Sequence, residues 1–183
     1  MTYPVFAAGR AGIRGRPMKK ELSREFVDFA QRRVKLSRFS ALMGFEVEKL
    51  FEGGAVLGMT TADHHRQIHN VMHGGVIAAL ADTAAAVAAY TVVPSGTEVV
   101  TVELKINYLL PVAGGKVSAE GRVLRAGRNF VVVECDITNH EGGLVAKALL
   151  TFGAAAGNEI GGAARKVGPA RPTAVTTRKR SKR

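Results

Sequence analysis

Residues 67–82 read QIHNVMHGGVIAALAD. A polar loop runs into the turn His73-Gly74-Gly75, and the turn opens a long apolar run. Between Gly74 and Ser95 the one charged residue is Asp82. The run is too long for a buried strand, and Pro94-Ser95-Gly96 breaks it. It therefore reads as a helix from about Gly74 to Thr91. A helix that is apolar almost all round has to be covered on nearly every side. A carboxylate inside it is costly without a partner or a chemical task, which makes Asp82 the first candidate for function.

The flanking sequence supplies the cover. Residues 21–41 (ELSREFVDFAQRRVKLSRFSA) read as one amphipathic helix, with Leu22, Phe26, Phe29, Val34 and Leu36 near one face and Gly44 ending it. Phe45–Leu50 and Ala55–Thr61 form a hairpin about Glu52-Gly53-Gly54, and 63–72 is an irregular polar loop. Beyond the central helix come four strands. In Val99–Leu110 strict alternation puts Val100, Val102, Leu104, Ile106 and Tyr108 on one face, and Thr101, Glu103, Lys105 and Asn107 on the other. Val117, Ala119, Gly121 and Val123 make the next inward row, then Val131, Val133, Cys135 and Ile137, and Leu144–Phe152 closes the sheet. The order implies an α+β fold, an antiparallel sheet of five or six strands curled around the long helix. Its edges and outer face favour a second subunit.

The 183 residues, 46% of them hydrophobic, suit one domain with a real core. One cysteine, Cys135, rules out an intramolecular disulfide. The net charge of +11 belongs to the ends: residues 1–40 carry +7 and 165–183 carry +8, while 41–164 carry −4. Such ends are more often solvated extensions than specific readers of nucleic acid, so no nucleic-acid partner is expected. The expected division is a flexible basic extension over 1–20, the folded domain with its N-terminal helix over 21–154, and a disordered basic tail over 155–183. MTYPVFAAGR lacks the order of a secretory signal, and Asp82 sits in the one long apolar run, so no membrane span and a cytoplasmic location are expected.

HNVMHGGVIAALADTAAAVAAYT, TVELKINYLLPV, GRVLRAGRNFVVVECDI and LVAKALLTF together resemble the hotdog-fold acyl-CoA thioesterases. The closer likeness is to the PaaI-like (phenylacetyl-CoA thioesterase) branch of the 4-hydroxybenzoyl-CoA thioesterase superfamily. The likeness covers roughly residues 42–153. His-Gly-Gly alone is weak; with Asp nine residues after the His and a strand T-V-E-L-K-I-N-Y-L-x-P it is specific. The resemblance implies that Asp82 is the catalytic carboxylate, as general base or nucleophile, and that the Gly74 N–H polarises the thioester carbonyl. Gln67 would help to position carbonyl or water, and Thr101 falls where some relatives carry a Ser near the attacking water. Asn70 departs from the Gly that many relatives have, with consequences for loop shape or acyl pocket. No metal or redox cofactor is implied.

The chemistry is consistent with that reading. Thioester hydrolysis needs an activated water or a nucleophile, and donors for the oxyanion. A helix N-terminus offers free N–H groups and a positive dipole end, and Gly74 and Gly75 permit close approach. His73 shapes the turn rather than moving protons. Arg128 is first a residue of the turn 126–129 and second a partner for CoA phosphate. His64, His65 and His69 share a loop, but with only Asp63 nearby they do not make a metal set. Gly74 and Asp82 stand eight residues apart, about 12 Å along one helix. One thioester reaches both only if two antiparallel helices meet. The expected site therefore combines Gln67 and Gly74 of one chain with Asp82 and Thr101 of another, in a homodimer or homotetramer acting on acyl-CoA. The competing reading is a non-catalytic acyl-CoA-binding regulator whose basic ends contact nucleic acid.

Overall fold

The computed structural model describes residues 22–156. The expected extension over 1–20 and the tail from residue 157 onward lie outside the described residues. Helices α1 (Arg24–Leu36) and α2 (Arg38–Met43) lead into strands β1 (Glu46–Phe51) and β2 (Gly54–Thr60). A short 3-10 turn (Asp63–His65) and a loop precede helix α3 (Gly74–Tyr90). Strands β3 (Thr97–Tyr108), β4 (Lys116–Ala126), β5 (Phe130–Asn139) and β6 (Leu144–Ala156) follow. All six strands join one sheet in the order β1-β2-β4-β5-β6-β3, and every pairing is antiparallel. The connection through α3 carries the chain from β2 to the opposite edge, where, among the described residues, β3 pairs only with β6.

Helix α3 lies in the curve of the sheet. Leu80, Ala81, Ala84, Ala85, Ala88 and Ala89 are fully buried, against inward rows from β4, β5 and β6. Alanine keeps the helix surface low, so its backbone comes close to the strands. At Gly121 the approach is tightest: a Cβ there would stand 3.0 Å from Ala84 O and from Ala85 Cα. The inward rows Val117–Val123 and Val131–Ile137 fall as the alternation predicts. The outer face is polar, with Lys147 bonded to Asp136 and Glu134, and Arg122 to Glu120.

Three expectations are corrected. The N-terminal helix is two helices, because Ser37 interrupts it. Its N–H bonds Arg33 O and closes α1, while its hydroxyl accepts from Ser40 N and opens α2. The buried stripe of α1 is Phe26, Ala30 and Val34, at helical spacing, and Leu36 is 78% exposed at its end. Strand β6 continues past Phe152 to Ala156, because Ala154, Ala155 and Ala156 pair with Val99, Glu98 and Thr97.

The third correction concerns β3. Thr101 pairs with Phe152 and Glu103 with Thr151, so Val102 is an extra, bulged residue. Before the bulge Val99 and Thr101 face the helix; after it Leu104 and Ile106 do. Strict alternation would have put Thr101 on the outer face with Lys105. The bulge instead turns it inward and leaves Val102 61% exposed at the sheet edge.

Candidate active site

The loop before α3 is fixed mainly by its own backbone. Gln67 N–H donates to Val71 O and Asn70 N–H to Gln67 O, which closes a tight turn with the exposed Ile68 near its tip. Asn70 has φ +60°, the left-handed region that glycine enters freely and asparagine tolerates best among other residues. Asparagine is thus compatible with the backbone that this turn adopts. Arg66 clamps the loop by donating to Asn70 O (2.7 Å) and Ala113 O (2.6 Å). His65, 2% exposed, accepts from Ala62 N–H through Nδ1, and its carbonyl accepts from His73 N–H. Burial, and then the nearby His64, hold its ring below the ordinary histidine range, so it is a neutral structural side chain. His64 contacts Leu42 O instead. Among the described residues no group of three His, Cys, Asp or Glu side chains could hold a metal ion.

His73 is the N-cap of α3, and its Nδ1 accepts from Gly75 N–H at 2.8 Å. That bond occupies the amide of Gly75, one of the expected substrate contacts. The Gly74 N–H, by contrast, finds no acceptor among the described residues, as expected for the first residue of a helix. Tyr108 OH donates to Gly74 O at 2.8 Å, and a Cβ on Gly74 would stand 3.1 Å from the Tyr108 ring. Tyr108 therefore holds the opening turn of the helix, a role that strand alternation alone does not reveal.

Two turns further along α3, Thr101 Oγ1 donates to Asp82 Oδ1 at 2.8 Å. Asp82 is half-buried. Burial pushes its carboxyl above the usual 3.8, and the Thr101 hydrogen bond pulls it part of the way back. A cleft of about 300 Å³ opens beside the pair. Its floor is the face of α3 carrying Asp82, Ala86 and Tyr90, and its roof is α1 and α2, through Phe29, Val34 and Phe39. Arg33 ties the roof down: it bonds both carboxylate oxygens of Glu98 and donates to Tyr90 OH at 2.8 Å. Tyr90 OH in turn donates to Glu98. Nothing in the residue pattern pointed to Arg33. Tyr90 was legible in principle, eight residues after Asp82 on the same helix face.

The structure thus brings Asp82 and Thr101 together, and sets Gly74, Gly75 and His73 together at the far end of the same helix. Gln67 and Asn70 stand in the loop ahead of that end. Arg128 is exposed on the β4–β5 turn and is not brought to the Asp82–Thr101 pair. Cys135 is fully buried, with its thiol pushed up to about 12, first by burial, which leaves it no part as a nucleophile.

Comparison with known proteins agrees with this architecture. Residues 69–146 match the family model of the thioesterase superfamily. The chain is 35% identical over 115 residues to a provisionally named esterase of Saccharolobus solfataricus, covering 63% of this chain and 81% of that one. It is 25% identical over 129 residues to a medium/long-chain acyl-CoA thioesterase of Salmonella typhimurium, covering 62% and 83%. The structure of the PaaI protein from the phenylacetic acid degradation operon of Escherichia coli superposes with a TM-score of 0.69 at 27% identity, covering 75% and 98%. The chain belongs to the thioesterase superfamily, with its hotdog fold, and is a thioester hydrolase by class. No helix among the described residues is long and apolar enough to cross a membrane.

Proposed function

We propose that this protein hydrolyses acyl-CoA thioesters to the free acid and CoA, and that it is of the PaaI-like kind. The observation that carries the proposal is the Asp82–Thr101 pair: a carboxylate with a raised pKa, oriented by a hydroxyl, at the edge of an apolar cleft. Ionised Asp82 either takes a proton from the attacking water or attacks the thioester carbon itself. The carbonyl oxygen, as it gains negative charge, accepts from the Gly74 N–H, where the helix dipole adds to the bond. CoA leaves as the thiolate: in the general-base route the proton held by Asp82 passes to it, and in the nucleophilic route water then hydrolyses the Asp82–acyl anhydride and frees the acid. Gln67 positions carbonyl or water, Asn70 and His73 hold the loop and turn that frame them, and Gly75 leaves room for the ester. Arg128, exposed on the β4–β5 turn, meets the CoA phosphates.

Asp82 and Gly74 lie on one unbroken helix, about 12 Å apart at 1.5 Å per residue. Each site therefore takes Gln67 and Gly74 from one protomer and Asp82 and Thr101 from its partner. The exposed edge of β3, with Val100 and Val102 at its surface, supports pairing with a second copy.

The test is steady-state hydrolysis of aryl- and fatty acyl-CoA esters. Asp82→Ala is expected to lower kcat/KM by at least about 10²-fold, the usual contribution of a positioned base. An unchanged rate would remove Asp82 from the chemistry.

A further inference from the structure

The cleft beside Asp82 has a neighbour. A second cavity, of about 430 Å³, lies between the start of α1 and the segment that joins α3 to β3, with Phe26, Val93 and Pro94 in its walls. Phe29 and Tyr90 line both spaces. Their rings meet edge to face, with centroids 6.2 Å apart and planes at 77°. Arg33 lies over both, 5.6 Å from the Phe29 centroid and 4.7 Å from that of Tyr90. Its hydrogen bonds to Glu98 and Tyr90 hold this partition, and Val99 N–H donates to the Tyr90 hydroxyl from the other side at 3.2 Å. Two cavities are thus separated by a single pair of rings with a bonded frame.

We propose that the Phe29–Tyr90 ring pair is the end-stop of the acyl-binding cleft and limits this enzyme to medium-chain acyl-CoA. The inference rests on the thioesterase reading, since it takes Asp82 as the point where the carbonyl sits. Asp82, Ala86 and Tyr90 recur every four residues along the cleft floor, so the stop lies about 12 Å from the acid. A zigzag of about 1.5 Å bonds at ~111° advances roughly 1.25 Å per carbon. The floor therefore accommodates an acyl chain of roughly eight to ten carbons, by the same geometry. A longer chain has to displace two rings and the ion pair behind them, or leave its end in water.

The experiment is the chain-length profile of kcat/KM over saturated acyl-CoA esters from four to sixteen carbons, for wild type, Phe29→Ala and Ala86→Leu. Wild type is expected to peak near eight to ten carbons and to fall at least about tenfold by sixteen, since apolar pockets discriminate methylene groups by about that factor or more. Phe29 is 41% exposed, so Phe29→Ala leaves the core intact. It opens the partition and is expected to raise the sixteen-to-eight-carbon ratio at least about tenfold. Ala86→Leu fills the floor between acid and rings and is expected to shift the peak to shorter chains. A wild-type rate that does not fall by sixteen carbons, or variants with the wild-type profile, would overturn the end-stop.

Binding of non-hydrolysable thioether analogues separates this failure from that of the underlying reading. In wild type, affinity should rise with chain length up to about ten carbons and then level off, and in Phe29→Ala it should continue to rise. That pattern in a protein without hydrolysis would retain the pocket and reject the thioesterase. Hydrolysis with no length dependence would do the reverse.

Discussion

Asp82 combines two opposing influences, and their balance is measurable. Burial disfavours its charged form, and the Thr101 hydroxyl favours it. The proposed base works only when ionised, so the rate is expected to rise with pH as Asp82 loses its proton. The acid limb of the kcat/KM profile is expected above the ordinary 3.8 of an aspartate. Thr101→Val removes the stabilising donor at nearly constant volume, so its acid limb is expected at still higher pH. A limb that stays put or moves down would show that Thr101 does not hold the carboxylate. Asp82 stood out in the sequence because a lone charge in a long apolar run is conspicuous. Its partner was not. Thr101 stood on the wrong face by alternation, and only the likeness to relatives pointed to it. A bulge has little local signature in TVELKINY, since Val102 is as good a strand residue as its neighbours.

At the scale of elements, the fold depends on how closely α3 approaches the sheet. Gly121 faces helix backbone, which cannot rotate aside as a side chain can. Gly121→Val is expected to destabilise the protein by about 1–3 kcal/mol or more, as overpacking does, read from denaturant midpoints. A change within about 0.5 kcal/mol, the range of an ordinary surface site, would refute the close approach. The helix roof has a different vulnerability. Burial pushes the Glu98 carboxyl up, but hydrogen bonds from Arg33 and Tyr90, with the charge of Arg33, hold it below its ordinary 4.5. A depressed carboxylate adds stability that is complete above the unfolded value and is lost as pH falls through the folded one. Acidification below about 4.5 is therefore expected to release α1 before the core, as faster amide exchange confined to α1. Arg33→Gln should show that fast exchange at neutral pH already. Equal protection of α1 and α3 down to the acid transition would argue against the tie. The strands and α3 were readable because their apolar periods are long and regular. The break at Ser37 was not, since the continuous amphipathic pattern of 21–41 masks a serine that caps both ways.

For the whole molecule, the decisive question is whether one reaction centre needs two chains. Gly74→Pro removes the amide donor at the first residue of a helix, where proline is tolerated, and its Cβ requires only that the Tyr108 ring give way slightly. Gly74→Pro and Asp82→Ala are each expected to be inactive as pure proteins. Mixed dimers should regain activity, since half of their sites would combine an intact Gly74 with an intact Asp82. No recovery on mixing, with mixed dimers demonstrated by mass, would mean that the two groups do not serve one centre shared between protomers. At this scale the sequence told less. The six strands and the central helix were readable in order, but the cover that α1 and α2 give to the cleft depends on Arg33, Tyr90 and Glu98 meeting across three elements.

The extra residue in β3 also matters to anyone who recombines this chain with a relative. Val102 shifts the strand by half a period, so inside and outside exchange places on either side of it. A chimera spliced across this point from a donor without the slip would turn either Thr101 toward solvent or Leu104 and Ile106 out of the core. Crossovers must therefore keep residues 99–106 as one block, and a single-residue deletion here would do more harm than a substitution at any one position in the strand.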